Sequence, residues 1–175
     1  MRMTWTRRDK AINQFAKGVV RQSRGNLTRE KANSSKTLWS SIKYKFKDNV
    51  LEFFMEYYGA FLDKGVSGTG KLWLSKTKSM PVAYNKSDAD PEYSFKSSKK
   101  AIGGDLSRWL RSKGIPESAE YPIRRSIHAK GIRPRRFFTY AFDQQSEKFE
   151  GILHKGITSD IESNLDKILK RQPWH

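Results

Sequence analysis

Apolar residues recur at helical spacing near both ends of this chain and alternate strictly in only one stretch between them. Over residues 4 to 24, Trp5, Ile12, Phe15, Ala16, Val19 and Val20 keep one helix face, with Arg7, Arg8, Lys10, Lys17, Arg21 and Arg24 on the other sides. The pattern predicts an amphipathic basic helix stopped at Gly25, followed by a polar connector over residues 26 to 36. Residues 38 to 58 then alternate and reverse about Asp48-Asn49, which predicts a hairpin with a two-residue loop. Phe46 should face Leu51, Tyr44 face Phe53 and Ile42 face Met55, with Lys45 meeting Glu52 on the other side. Each such pair contributes roughly 0.2 to 1 kcal/mol, and a slip of one residue would bury lysines.

Next comes an aromatic helical turn at residues 57 to 64, Tyr57-Tyr58-Gly59-Ala60-Phe61-Leu62, stopped by Gly65. Residues 65 to 104, rich in glycine, serine and lysine and broken by Pro81 and Pro91, read as a loop or extended arm. Short strands there are compatible with Leu72, Trp73 and Leu74 and with Val82 and Tyr84. Asp105 can cap a helix of residues 106 to 113 with Leu106, Trp109 and Leu110 inward and Gly114 as its stop. A second helix near residues 118 to 130 turns Ala119, Ile123 and Ile127 inward and ends at Gly131. From Pro134 a final helix carries Phe138, Phe142, Phe149, Ile152 and Leu153. Gly151 and Gly156 predict a bend, and Ser159 with Glu162 a capping box for its continuation to about residue 170.

Length changes little in this picture: 175 residues suit one domain spanning 1–175. Charge changes more. A net +17 implies an acidic partner, because self-repulsion on that scale opposes a compact monomer. Residues 1 to 50 hold 13 basic and 3 acidic side chains, residues 96 to 136 hold 12 and 3, and residues 137 to 175 come to −1. With two basic stretches and a weakly acidic end, the subunit is suited to stacking on copies of itself or on a neighbouring ring. There is no cysteine, so disulfides, thiolate zinc sites and thiol nucleophiles are excluded. No apolar run has the length of a signal peptide core or a membrane span, and a soluble protein is expected.

Candidate chemistry is sparse. Gly65-Val66-Ser67-Gly68-Thr69-Gly70-Lys71-Leu72 has the glycine and lysine spacing of a phosphate-binding loop, but Leu72 replaces the magnesium-binding hydroxyl and no apolar strand precedes it. It reads as a flexible glycine loop. His128 and His154 lack partners at metal-ligand spacing, and Asp88, Asp90 and Glu92 lack the turn and distal glutamate of a calcium loop. Arg124, Arg125, Lys130, Arg133, Arg135 and Arg136, with Tyr121, Phe137 and Phe138 nearby, form a basic and aromatic tract of the kind that meets phosphates. The two helices flanking Gly114-Ile115-Pro116 do not make a sequence-reading helix-turn-helix, because the proline interrupts the turn and the cations sit at the wrong end.

Four groups of residues taken in order carry a resemblance: Leu38, Ser41 and Ile42; Tyr58, Ala60, Phe61, Leu62, Asp63 and Gly65; Gly68-Thr69-Gly70; and Pro134, Phe137, Phe138, Ala141 and Phe142. In these the chain resembles the tail-component and tail-completion proteins of long-tailed bacteriophages. The likeness covers the two ends and little of residues 71 to 130, with Gly59 and two inserted helices as departures. It implies a virion neck or tail subunit, not an enzyme, assembled in the host cytoplasm into a homo-oligomeric ring, commonly sixfold. Such a ring joins the portal or adaptor side to the tail tube, touches DNA in the channel at most non-specifically, and uses no cofactor, metal or membrane.

The expected fold is α+β: a small antiparallel sheet packed against the amino-terminal and carboxyl-terminal helices, with an arm and two inserted short helices. Tyr57, Tyr58, Phe61, Leu62, Phe137, Phe138 and Phe142 are expected to pack the core turn and subunit interface. Arg124, Arg125, Arg133, Arg135 and Arg136 are expected to face an acidic partner or DNA. The competing expectation is a non-specific nucleic-acid-binding protein, which steep loss of DNA affinity with salt would distinguish from a ring-forming part.

Overall fold

A computed structural model describes residues 4–29, 36–73, 79–81, 93–95 and 106–170. In chain order the elements are α1 (Thr6–Arg29), α2 (Thr37–Ser41), β1 (Lys43–Lys47), β2 (Val50–Phe54), α3 (Tyr58–Lys64) and β3 (Val66–Ser67). They continue with β4 (Lys71–Trp73), β5 (Ser79–Pro81), α4 (Ser107–Ser112), a 3-10 turn at Glu117–Ala119, α5 (Glu120–Lys130), β6 (Gly131–Ile132) and α6 (Thr139–Leu169). The mixed helix and sheet class matches the expectation, with a two-stranded sheet and long terminal helices that pack together. Internal contacts gather the chain into two compact units. The first holds the chain up to Arg29, Trp39–Met55 and everything from Phe137; the second holds Glu30–Leu38 and Glu56–Arg136.

In the first unit α1 and α6 run antiparallel, held by polar contacts at both ends and rings in the middle. Asp160, 4 % exposed, accepts the Arg7 and Arg8 backbone N–H groups at 2.9 Å each, a capping carboxylate supplied from another helix. One turn on, Asn164 accepts the Thr4 N–H and donates to the Thr4 carbonyl. Near the other end, Gln22 exchanges hydrogen bonds with Gln144 and Gln145, and Asn26 donates to the Phe137 carbonyl. Between these lies the apolar core, in which Phe15 stacks on Phe149 at 4.5 Å and meets Phe142 edge-on at 5.5 Å. Buried Ala11, Ala16, Val19 and Leu27 complete the α1 side.

The hairpin has the expected register: Phe46 opposite Leu51, Lys45 opposite Glu52 and Tyr44 opposite Phe53. Asp48 and Asn49 both have positive φ, 52° and 65°, as the mirror-image turn of a two-residue hairpin requires. Phe53 enters the ring cluster, 5.4 Å from Phe138 and 6.4 Å from Phe15, and the Tyr44 hydroxyl donates to Asn13. The strands are shorter than expected, since residues 38 to 41 belong to α2.

Three helix boundaries differ from the expectation. Gly25 does not end α1, which continues to Arg29, with Asn26 and Leu27 buried and Asn26 bonded to the Phe137 carbonyl. The last helix starts at Thr139, not Pro134, since Arg135 and Arg136 give their N–H groups to Leu62 and Asp63 carbonyls of α3 and Arg136 has φ 48°. Gly151, Gly156 and Ser159-Glu162 all lie within uninterrupted α6, so the expected capping box starts no helix. Gly156 serves close approach, since a Cβ there would stand 3.2 Å from the Arg7 carbonyl oxygen.

In the second unit the glycine segment is a packed backbone junction, not a flexible loop. β3 pairs antiparallel with β6, Thr69 and Gly70 donate to the His128 and Ala129 carbonyls, and Ser67 exchanges hydrogen bonds with Tyr93 and Phe95. A Cβ on Gly68 would lie 2.2 Å from the Ala129 oxygen, and one on Gly131, at φ +89°, 2.2 Å from the Val66 oxygen. Glycine is therefore required at both. β4 and β5 form a short antiparallel pair within the expected arm, while Leu74, Val82, Tyr84, the acidic cluster and Asp105 lie outside the described residues. α4 ends as expected at Gly114: the Ile115 N–H reaches the Leu110 carbonyl and the Gly114 N–H the Arg111 carbonyl. Glu120, opening α5, holds the start of α4 by accepting the Leu106 N–H and the Ser107 hydroxyl.

Candidate assembly and polyanion-contacting surfaces

The aromatic residues expected to form one interface divide between the two units. Phe137, Phe138 and Phe142 belong to the first; Phe137 is 1 % exposed and is core, whereas Phe142 is 39 % exposed at the edge of the ring cluster. Tyr57, Tyr58, Phe61 and Leu62 belong to the second. Phe61 is half-buried between Tyr57 at 5.0 Å and Tyr93 at 4.8 Å, and Leu62 is also half-buried. Tyr57 at 80 % and Tyr58 at 43 % exposure are surface residues, not core.

The expected basic residues all fall in the second unit and take different roles there. Arg124 pairs with Glu120 one helical turn back, and Arg125 stacks on Tyr121 at 5.3 Å. Arg133, Arg135 and Arg136 are exposed.

Two features that the sequence marks only as periodic, Ile161, Leu165 and Ile168 on the last helix and the cations of the first, take their meaning from the structure. At the carboxyl end of α6, Ile161, Leu165, Ile168 and Leu169 are all exposed, and their spacing of four, three and one puts them on a single helix stripe. They flank the positions Asp160 and Asn164 that hold α1. The periodicity was legible; that α1 leaves this stripe uncovered was not.

The second feature is a row of exposed side chains along α1, Arg7, Lys10, Gln14, Lys17 and Arg21 at intervals of three and four residues, with Thr28 two turns further on. Two grooves lie along it. One, about 390 Å³, runs between Arg7, Lys10 and Gln14 and the Ile152, Lys155 and Ser159 side of α6. The other, about 500 Å³, is lined by Lys17, Arg21, Arg24, Thr28, Trp39 and Tyr44. Neither lining includes a carboxylate. Arg24 lies over the Trp39 indole at 4.5 Å, and its Nη2 donates to the Ile42 carbonyl.

Among the described residues no group of three or more His, Asp or Glu side chains is placed to hold a metal ion. No described helix is long and apolar enough to cross a membrane. No protein-family model, curated protein or solved structure matches the chain.

Proposed function

We propose that the chain is a structural subunit that works by assembling with copies of itself, the neck or tail-completion part of a tailed bacteriophage that its motifs resemble. The observation that carries this reading is the stripe of Ile161, Leu165, Ile168 and Leu169, between 38 and 61 % exposed at the carboxyl end of α6. An apolar stripe continuous with a buried face loses free energy by remaining in water and gains about 25 cal/mol per Å² when covered. The occupant we assign is a second copy. α6 carries six acidic and three basic side chains, a net of −3, on a chain of net +17, so unlike faces of two copies attract. Tyr57 and Tyr58 give the second unit its own exposed aromatic surface for neighbouring subunits.

Sedimentation velocity and native mass measurement of the full chain test the reading. A closed oligomer is expected, together with its dissociation in a Leu165→Glu/Ile168→Glu variant that keeps wild-type helical content, both sites being exposed. A monomer at about 100 μM, well above the dissociation constants of stable assemblies, would refute it. The coding region should also lie among capsid and tail-tube genes.

A further inference from the structure

We propose that the exposed basic row of α1, with Trp39 at its far end, is a binding track for single-stranded nucleic acid. This site uses none of the arginines of residues 124 to 136, and it does not depend on the assembly reading. Arg7, Lys10, Lys17, Arg21 and Arg24 lie on one side of a single helix, and from Arg7 to Thr28 the row extends about 30 Å at 1.5 Å per residue. A solvated helix face ordinarily interleaves opposite charges at three and four residues, which lowers self-repulsion. Here α1 has seven basic side chains and one acidic, Asp9, which is spent on its neighbour Arg8. Among the described residues no carboxylate pairs with Lys10, Lys17 or Arg21.

Charge alone would fit any polyanion, and Trp39 narrows the choice. Its indole remains 36 % exposed in the wall of the larger groove, held from one side by the Arg24 guanidinium, which is anchored on the Ile42 carbonyl. An aromatic shelf beside phosphate-binding cations takes an unpaired base by stacking, and base stacking is closed to a duplex and to an acidic peptide. The groove lined by Arg7, Lys10 and Gln14 and the groove lined by Lys17 and Arg21 then follow the backbone along the helix.

Fluorescence anisotropy of the full chain with a labelled thymidine oligomer of about 15 nucleotides tests the track. Four phosphate contacts, from Arg7, Lys10, Lys17 and Arg21, give a slope of log affinity against log salt of about −2.8, so affinity falls about 50-fold between roughly 50 and 200 mM salt. Lys17→Ala/Arg21→Ala, both exposed, should weaken binding at least about tenfold and flatten the slope by about 1.4. Trp39→Ala should lose about tenfold and Trp39→Phe, which keeps a ring beside Arg24, much less, with circular dichroism confirming the fold. Arg133→Ala/Arg135→Ala should leave binding unchanged. The inference is overturned if a duplex of equal length binds as tightly with no dependence on Trp39, or if polyglutamate competes as well as the oligomer. It also fails if the residue 133 and 135 pair, rather than residues 17 and 21, governs the slope.

Discussion

Asp160 and Glu120 are single carboxylates that begin helices to which they do not belong. The first intrahelical bond of α1 is donated by Asp9, so the Arg7 and Arg8 N–H groups have no acceptor within the helix, and Asp160 supplies one to each. Asp160→Ala should therefore cost about 2 kcal/mol, a fall of about 4 to 8 °C in the unfolding midpoint of a chain this size. Asp160→Asn, which retains one acceptor oxygen, should lose about half as much, and thermal unfolding followed by circular dichroism checks both. An unchanged midpoint in the alanine variant would show that water serves these N–H groups equally well. None of this was legible in sequence, where Ser159-Asp160-Ile161-Glu162 looks like a local helix start. The partners of Asp160 lie more than 150 positions away. Gly65, Gly114 and Gly131 were legible as stops because each takes a positive φ that other residues avoid. Gly25 was misread, since a glycine's presence does not say whether its φ is helical.

Among elements, the hairpin was the most legible, because alternation fixes which face is buried and a two-residue loop with Asn and Asp fixes the register. α6 was legible in its periodicity and not in its continuity. Its two interior glycines have opposite meanings: a Cβ on Gly151 meets nothing within 4 Å, whereas one on Gly156 meets α1 backbone at 3.2 to 3.3 Å. Gly151→Ala should raise stability by about 0.5 to 1 kcal/mol through helix propensity. Gly156→Ala should lower it by about 1 to 2 kcal/mol, since α1 and α6 must part to admit the methyl group. Urea unfolding should show the two midpoints moving in opposite directions; movement in the same direction would contradict the close crossing at Gly156. The Gly65–Gly70 segment shows the converse failure of sequence reading. Glycines that suggest freedom in isolation here admit a second backbone, with a Cβ on Gly68 only 2.2 Å from the Ala129 oxygen.

For the whole molecule, net charge is the dominant property, at +17 over 175 residues. Like-charge repulsion falls as the screening length shrinks from about 30 Å at 0.01 M to about 8 Å at 0.15 M ionic strength. The unfolding temperature of the isolated chain should thus rise with sodium chloride over that range, as scanning calorimetry can measure. A fall would mean that attractive pairs outweigh the excess of cations. The exposed candidates, the α6 stripe and the α1 row, belong to this scale too, because each depends on what the rest of the chain leaves uncovered. By itself the sequence determined the long helices in outline, the hairpin register, the stops at Gly65, Gly114 and Gly131 and the large positive charge, all of which follow from spacing, φ preference and counting. Only the tertiary structure decided which apolar and basic faces stay open, which carboxylates cap distant helices and which glycines admit a neighbouring backbone. Those outcomes depend on distances between segments far apart in the chain, and local pattern carries no information about such distances.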